Sequence, residues 1–249
     1  MTDATIDDRP RTNARPASVS GLAALVPLTT TTVQARVHDT LRTTLMRGGF
    51  AAGEVLRIQA VAARLDVSTM PVREALARLV SERALEAMPN RSVRVPPITR
   101  ERLDDLVGVR AMVEGEAVRR AAPRLTRDDL DVLEGLIERY DAALATADGM
   151  MPVEAAELNH DFHSRLYAAA GSPTLSGIID GLWLQSGPYI RSAAKLFDVN
   201  GATSAMHHHR AILAALRAGD AEAASEALAH DIGHAFAILR EAHPFEEAA

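Results

Sequence analysis

The chain has 249 residues, enough for two domains of ordinary size, and its 47% hydrophobic and 24% charged residues are those of a globular protein. It contains no cysteine, which excludes disulfides, thiol catalysis and thiolate metal ligation. The net charge of −6 hides an asymmetry: residues 31–97 carry ten arginines against six carboxylates (+4), and residues 98–249 carry fourteen basic against twenty-four acidic groups (−10), so any surface for a polyanion lies in the first half.

Residues 1–30 read as a disordered tail, polar and mixed in charge, with Arg9, Pro10, Arg11, Arg15 and Pro16. They lack the apolar core of a signal peptide, and no apolar run in the chain reaches transmembrane length. A cytoplasmic protein with no membrane contact is therefore expected. Residues 33–47 place Val33, Val37, Leu41 and Leu45 at four-residue steps, which predicts a helix burying one face. Gly48, Gly49 and Gly53 break it.

Residues 58–65 (Ile-Gln-Ala-Val-Ala-Ala-Arg-Leu) predict a second, short helix, followed by a turn on Asp66. Ser68, an N-cap residue type, opens a third helix in which Val72, Leu76 and Leu79 share one apolar face. Thr69, Arg73 and Arg78 take the other face. Two short helices across a tight turn, the second starting with hydroxyl and basic groups, make a helix-turn-helix. Its second helix enters the DNA major groove with the N-terminal end leading. Ser68, Thr69, Met70, Pro71, Arg73 and Arg78 are the candidate contacts, against the plainer reading in which the arginines solvate the helix and pair with Glu74 or Glu82. In residues 86–96, Met88, Val93 and Val95 flank a polar turn at Asn90-Arg91-Ser92, which predicts a small β-hairpin. The order becomes that of a winged helix with Asn90 and Arg91 at the wing tip, where an arginine reaches a phosphate or the minor groove.

The runs Gly53-Glu-Val-Leu-Arg57, Ala62-Ala-Arg-Leu-Asp-Val-Ser68, Pro71-Val-Arg-Glu-Ala-Leu-Ala-Arg-Leu79 and Asn90-Arg91 resemble the winged-helix domain of GntR-type bacterial transcription regulators. Two positions depart from that family. Thr69-Met70 stands where it usually has Arg-Thr, and Ser92 where it usually has Gly after the wing arginine. Loss of a recognition-helix arginine removes a bidentate guanine contact of about 1–3 kcal/mol, so the operator is expected to differ from the family's common one.

From about Arg100 onward the pattern is helical throughout. Leu103, Leu106, Val107, Arg110, Met112, Val113 and Ala117 mark one helix. Thr126 caps the next, which carries Leu130, Leu133, Leu136, Ile137, Tyr140 and Leu144. Further helices are expected over residues 151–170, 172–196, 202–218 and 221–242, separated at Gly171, Asn200-Gly201 and Gly219-Asp220. The fold class is thus mostly α, a winged helix-turn-helix (residues 31–97) with a small β-hairpin wing ahead of an all-α antiparallel helical bundle (residues 98–249). A bundle places its ligand site between facing helices.

Eight of the nine histidines follow Met150. His163 lies one turn after Asn159, His209 precedes Arg210-Ala-Ile-Leu, and His230, Asp231 and His234 sit together on the last helix. Such groups converging in a bundle interior suit a divalent ion such as Zn, Ni or Mn, although solitary helix histidines are more often ordinary core or surface residues. Asn159-His-Asp-Phe-His163, His209-Arg-Ala-Ile-Leu and Ala218-Gly-Asp-Ala-Glu-Ala-Ala224, with Val109-Arg110 and Glu114, resemble the C-terminal ligand-binding (FCD) domain of the FadR subgroup. The resemblance implies metal-ligand roles for Asn159, His163 and His209. Where it places a third histidine, this chain has Asp231, with His230 and His234 as alternates. Arg110, Glu114 and Arg191 are the candidate effector-binding residues, since guanidinium grips carboxylates bidentately; the alternative for Arg110 is an ion pair with Glu114 at i+4.

The expectation is a homodimeric transcription regulator, a repressor, on a pseudo-palindromic double-stranded operator. A small organic acid in the helical domain would alter DNA binding, and no organic cofactor is implied. Two alternatives stand beside it. One is a metal-dependent hydrolase drawing on Asp161, Asp231 or Glu157 as general acid or base. The other is a constitutive DNA-binding protein without an effector.

Overall fold

The four-residue apolar repeat folds into α1 (Val33–Met46), opened by Thr32, whose hydroxyl accepts the Ala35 backbone N–H at 3.1 Å. Val37, Leu41 and Leu45 are buried, whereas Val33, in the first turn and above the core, is 50% exposed and not part of the buried face the repeat predicts. The computed structural model describes residues 32–89, 92–145, 153–194 and 205–242. The expected tail over residues 1–30 and the wing-tip residues Asn90 and Arg91 lie outside these.

After α1 the chain reverses through Gly53 at φ +79°, a conformation that favours glycine. It then forms β1 (Val55–Leu56), α2 (Ile58–Leu65) and α3 (Thr69–Ser81). Asp66 ends α2 in the left-handed region (φ 53°, ψ 49°), giving the tight turn before α3. β2 (Glu86–Ala87) and β3 (Val93–Arg94) pair antiparallel as the wing. The periodicity did not reveal β1, which pairs with the other edge of β3 and makes a three-stranded sheet ordered β1-β3-β2. Two residues are too few to show alternation. Val37, Leu41, Leu45, Val72, Leu76, Leu79, Leu85 and Val95 make the core of this head.

Thr99 caps α4 (Arg100–Ala121), and Thr126 and Asp129 exchange hydrogen bonds across the start of α5 (Arg127–Ala145). α6 (Val153–Ala168), α7 (Pro173–Ala194), α8 (Ala205–Arg217) and α9 (Ala221–Ala242) complete the bundle. Its core is Leu103, Leu106, Leu133, Ile137, Phe162, Leu166, Ile212, Leu228 and Phe236 with their neighbours. Met112, expected on the buried stripe of α4, is 67% exposed. It follows buried Arg110 by two residues, about 200° round the helix, and falls on the opposite side.

The described residues form one compact unit, with α7 packed against both α1 and the bundle. Leu184 of α7 is buried in the core of the head. A Cβ at Gly187 would lie 2.2 Å from the Leu45 carbonyl oxygen and 2.7 Å from that of Met46, so only glycine admits α7 this close to the end of α1. Arg42 of α1 donates to the Asp180 carbonyl (3.4 Å), Arg47 pairs with Glu157 (3.1 Å), and Tyr189 donates to the carbonyls of Pro96 and Pro97 (3.4 Å each). None of the helices among the described residues is long and apolar enough to cross a membrane.

Candidate functional site

The buried side of α3 (Val72, Ala75, Leu76, Leu79) fixes what its other side presents. Ser68, Thr69, Met70, Arg73 and Arg78 are exposed and Pro71 is half-buried. Ser68 occupies the N-cap position, yet its side chain makes no capping bond, so its hydroxyl is directed to solvent. Met70 is 61% exposed at the leading end of the helix. Arg78 donates to Glu82 (Nε to Oε1, 3.0 Å), and buried His38 reaches the same carboxylate at 3.2 Å. This realises for Arg78 the ion pair considered from the sequence. Arg73 makes no ion pair with any described residue, and its charge is free for an external anion.

The second cluster lies inside the bundle. His163 from α6, His209 from α8 and Asp231 from α9 bring one donor atom each to within 4.8 Å of one another. The two imidazole Nε2 atoms are 3.2 Å apart. Asp231 Oδ2 is 3.2 Å from His163 Nε2, and its Oδ1 is 3.6 Å from His209 Nε2. A tetrahedral ion bonded at about 2.0–2.2 Å holds its donors roughly 3.3–3.6 Å apart, so the triangle has the dimensions of a metal face. Both histidines are buried, and Asp231 is nearly so. Asn159 stands half-buried on α6, one turn before His163. Of the two alternates, His230 is exposed, and His234 packs its ring 5.1 Å from that of His208.

The protonation states follow from the surroundings. Burial alone would raise the Asp231 pKa, but His209 and His163 outweigh it and hold the carboxyl at about 2. Burial lowers His209 to about 4, with Asp231 opposing. At neutral pH the site therefore presents a carboxylate and a neutral imidazole, the forms a metal binds. Phe162 stacks on the His209 ring (4.5 Å, 21°) and Tyr140 meets it edge-on at 5.8 Å, which fixes its orientation.

His163 is fixed by hydrogen bonding. Burial, and then the charge of Glu114, push the Tyr167 phenol well above its usual pKa, so it keeps its proton. It donates that proton to Glu114 Oε2 at 2.5 Å. Having one proton, it can only accept from His163 Nδ1, 3.2 Å away. Nδ1 thus carries the imidazole hydrogen, and in neutral His163 the Nε2 lone pair faces Asp231 and His209. That lone pair and the Asp231 Oδ2 carboxylate oxygen, 3.2 Å apart, repel unless a cation or a proton lies between them. The donor set therefore fits a divalent ion.

Arg110 and Glu114 form a fully buried ion pair (Nε to Oε1 2.6 Å, Nη2 to Oε2 3.2 Å), which is the i+4 alternative left open by the sequence. Desolvation works against the guanidinium, but Glu114 more than offsets it and raises the Arg110 pKa. Trp183 of α7 donates Nε1–H to Glu114 Oε2 (3.1 Å) and lies under the Arg110 guanidinium at 4.9 Å. Arg191 belongs to α7, but its side chain is outside the described atoms.

Against known proteins, residues 33–95 match the model of the bacterial regulatory proteins of the gntR family, and residues 105–234 match the FCD domain. The HTH-type transcriptional regulator McbR of Escherichia coli (strain K12) is 30% identical over 82% of this chain and 91% of its own length. The chain belongs to the GntR family of transcription regulators and carries an FCD domain. Its likeness to the solved structure of E. coli McbR/YncC has a TM-score of 0.76 over 86% of this chain and 99% of the other, at 30% identity. A putative GntR regulator from Rhodococcus sp. RHA1 follows at 0.68 (26% identity, 84% and 98% covered). The probable D-xylose utilization operon transcriptional repressor of Paenarthrobacter nicotinovorans is 29% identical over 82% of this chain and 88% of its own length.

A family of DNA-binding regulators displaces the metal-dependent hydrolase considered from the sequence. Within this GntR-family chain, sequence reasoning missed Tyr167 and Trp183. Tyr167 had a signal, since it follows His163 by the same four residues that separate His163 from Asn159. Trp183, the single tryptophan, had none, because its contacts with Glu114 and Arg110 span distant parts of the chain.

Proposed function

We propose that this regulator is a homodimeric, metal-containing repressor whose FCD domain senses a small organic acid. Each subunit would lay α3 in the major groove of one half-site of a pseudo-palindromic operator. Ser68, Thr69 and Arg73 would meet phosphates or base edges, and Met70 offers an apolar contact of the kind a thymine methyl accepts. Asn90 and Arg91 are assigned to the wing contact from the sequence. Repression is favoured by the names of relatives: that from Paenarthrobacter nicotinovorans above, and the E. coli repressor GlaR (26% identical over 81% of this chain).

One observation carries the metal part: the 3.2–3.6 Å triangle of His163 Nε2, His209 Nε2 and Asp231 carboxylate oxygens. His163, His209 and Asp231, with Asn159 as a neutral fourth donor, would hold Zn, Ni or Mn. A single carboxylate among these ligands leaves the ion with residual positive charge, which attracts an anionic effector. Arg110 is engaged by Glu114, so the ion takes over the anchoring role that the sequence offered to that arginine. Arg191 remains the second candidate for the effector's carboxylate.

Elemental analysis of the purified protein, and of metal-stripped protein reloaded with Zn²⁺, Ni²⁺ or Mn²⁺, tests the reading. One ion per subunit is expected for the wild type and a strong loss for His163→Ala. Gel shifts on DNA upstream of its own gene, with and without a panel of organic acids, test the rest. A wild-type protein that takes up none of these ions would overturn the metal assignment.

A further inference from the structure

α7 touches both functional regions. Trp183 donates to Glu114 at 3.1 Å, and its ring lies 5.5 Å from that of His163 and 5.2 Å from that of His160. The next residue, Leu184, is 1% exposed and packs in the head core with Leu45, Leu76 and Leu79. One turn after Trp183, Gly187 lies against the last carbonyls of α1. Consecutive side chains of one helix therefore report on the bundle's polar cluster and on the scaffold that carries the recognition helix.

The polar side of this link is continuous. His163 Nδ1–H donates to the Tyr167 oxygen, Tyr167 donates to Glu114, and Glu114 accepts from Trp183 and from Arg110. Hydrogen-bonded groups beyond the ligands hold an imidazole in the tautomer and orientation a metal needs. In a buried setting each member constrains the next, because a broken partner leaves an unpaired polar group out of water.

We propose that Tyr167 and Glu114 are positioning residues for His163, and that Trp183 passes the position of His163 along α7 to the DNA-binding head. The proposal rests on the metal reading above. It has a defined physical content: an ion bonded to His163, His209 and Asp231 fixes the His163 ring at that spacing, and any shift of the ring on metal binding or loss acts on the Tyr167 and Glu114 hydrogen bonds. Trp183 can follow only by moving α7, and α7 cannot move without disturbing Leu184 and the Gly187 contact with α1.

The test uses the full chain stripped of metal and titrated with Zn²⁺ and Ni²⁺. A chromophoric chelator reads affinity in competition, and the emission of the single tryptophan reads the relay. In the wild type, the emission of Trp183 should change in step with occupancy. Tyr167→Phe keeps the ring and removes the link; its metal affinity should fall about 10–100-fold, with a smaller emission change at full occupancy. Hydrogen exchange reads the second half of the path. Metal should slow exchange in α7 and in the last two turns of α1 in the wild type, whereas in Trp183→Phe the slowing should be confined to α6, α8 and α9. A wild type that binds no metal removes the metal reading and the relay with it. Tight metal binding with unchanged affinity in Tyr167→Phe overturns the relay alone. Protection reaching α1 equally in Trp183→Phe overturns the role of Trp183. Thermal melts of both variants establish that they are folded before either result is read.

Discussion

The recognition helix and the bundle interior use polar residues in opposite ways. On α3, Ser68, Thr69 and Arg73 are exposed and bonded to little within the chain, while the apolar face beneath them is closed. In the bundle, Arg110, Glu114, His163 and His209 are buried and bonded to one another. A surface that meets DNA can leave its donors to water until phosphate and base edges replace it. A site in a core has no water to fall back on, so each buried charge needs a partner already in place. Substitutions on α3 should therefore change binding and leave stability alone, and those in the buried cluster should do the reverse first.

Glu114→Ala gives the largest expected effect. It strands Arg110 as an unpaired buried charge, and urea unfolding should show a loss of about 3–5 kcal/mol. A loss under 1 kcal/mol would mean that water or another acidic group reaches the guanidinium.

Acidity should act on the same cluster. In the unfolded chain His209 titrates near the usual 6.5, but in the fold, at about 4. Between those values the unfolded state binds the extra proton, so the metal-free protein should lose stability as pH falls from about 6.5 to about 4. Asp231, at about 2 instead of 3.8, adds a further loss below pH 3.8. Urea midpoints across this range in wild type and in His209→Gln check it, the variant being expected to show a flatter slope above pH 4.

On the exposed side, Arg73→Ala should cost about 1–3 kcal/mol of operator affinity if it reads a base. If it holds a phosphate, the salt-dependence slope should instead drop by about one. Its unfolding free energy should stay within about 0.5 kcal/mol of wild type; a larger change would erase the contrast between the two regions. Thr126→Ala is the smallest change, removing the α5 cap for about 1 kcal/mol of stability, with neither metal nor DNA binding affected. Differential unfolding with parallel binding curves separates the two readouts.

Much of the fold is legible in local spacing. The apolar steps through Val37, Leu41 and Leu45, the start of α3 after Ser68, the turn on Asp66 and the breaks at Gly171 and Gly219-Asp220 are properties of a few neighbouring residues. The site was legible only in part. His163 and His209 could be singled out from their spacing and flanking residues. The choice among His230, Asp231 and His234 could not be made that way. Adjacent residues on a helix point about 100° apart, so the rotational phase of α9 against α6 and α8 selects one of them. Arg110 was ambiguous for a related reason: an i+4 partner is available on any helix surface, and its burial beneath Trp183 depends on α7.

What the sequence determined by itself is the list of helices, the helix-turn-helix with its basic asymmetry, and the residue types able to ligate or to grip DNA. These follow from backbone periodicity, capping and composition, each acting over a turn or two. Tertiary structure decided that Asp231 meets the two imidazoles, that Tyr167 fixes the tautomer of His163, that Glu114 joins three side chains from three helices, and that β1 completes the wing sheet. Each of those depends on the distance and rotation between elements far apart in the chain, which close packing sets and local spacing does not.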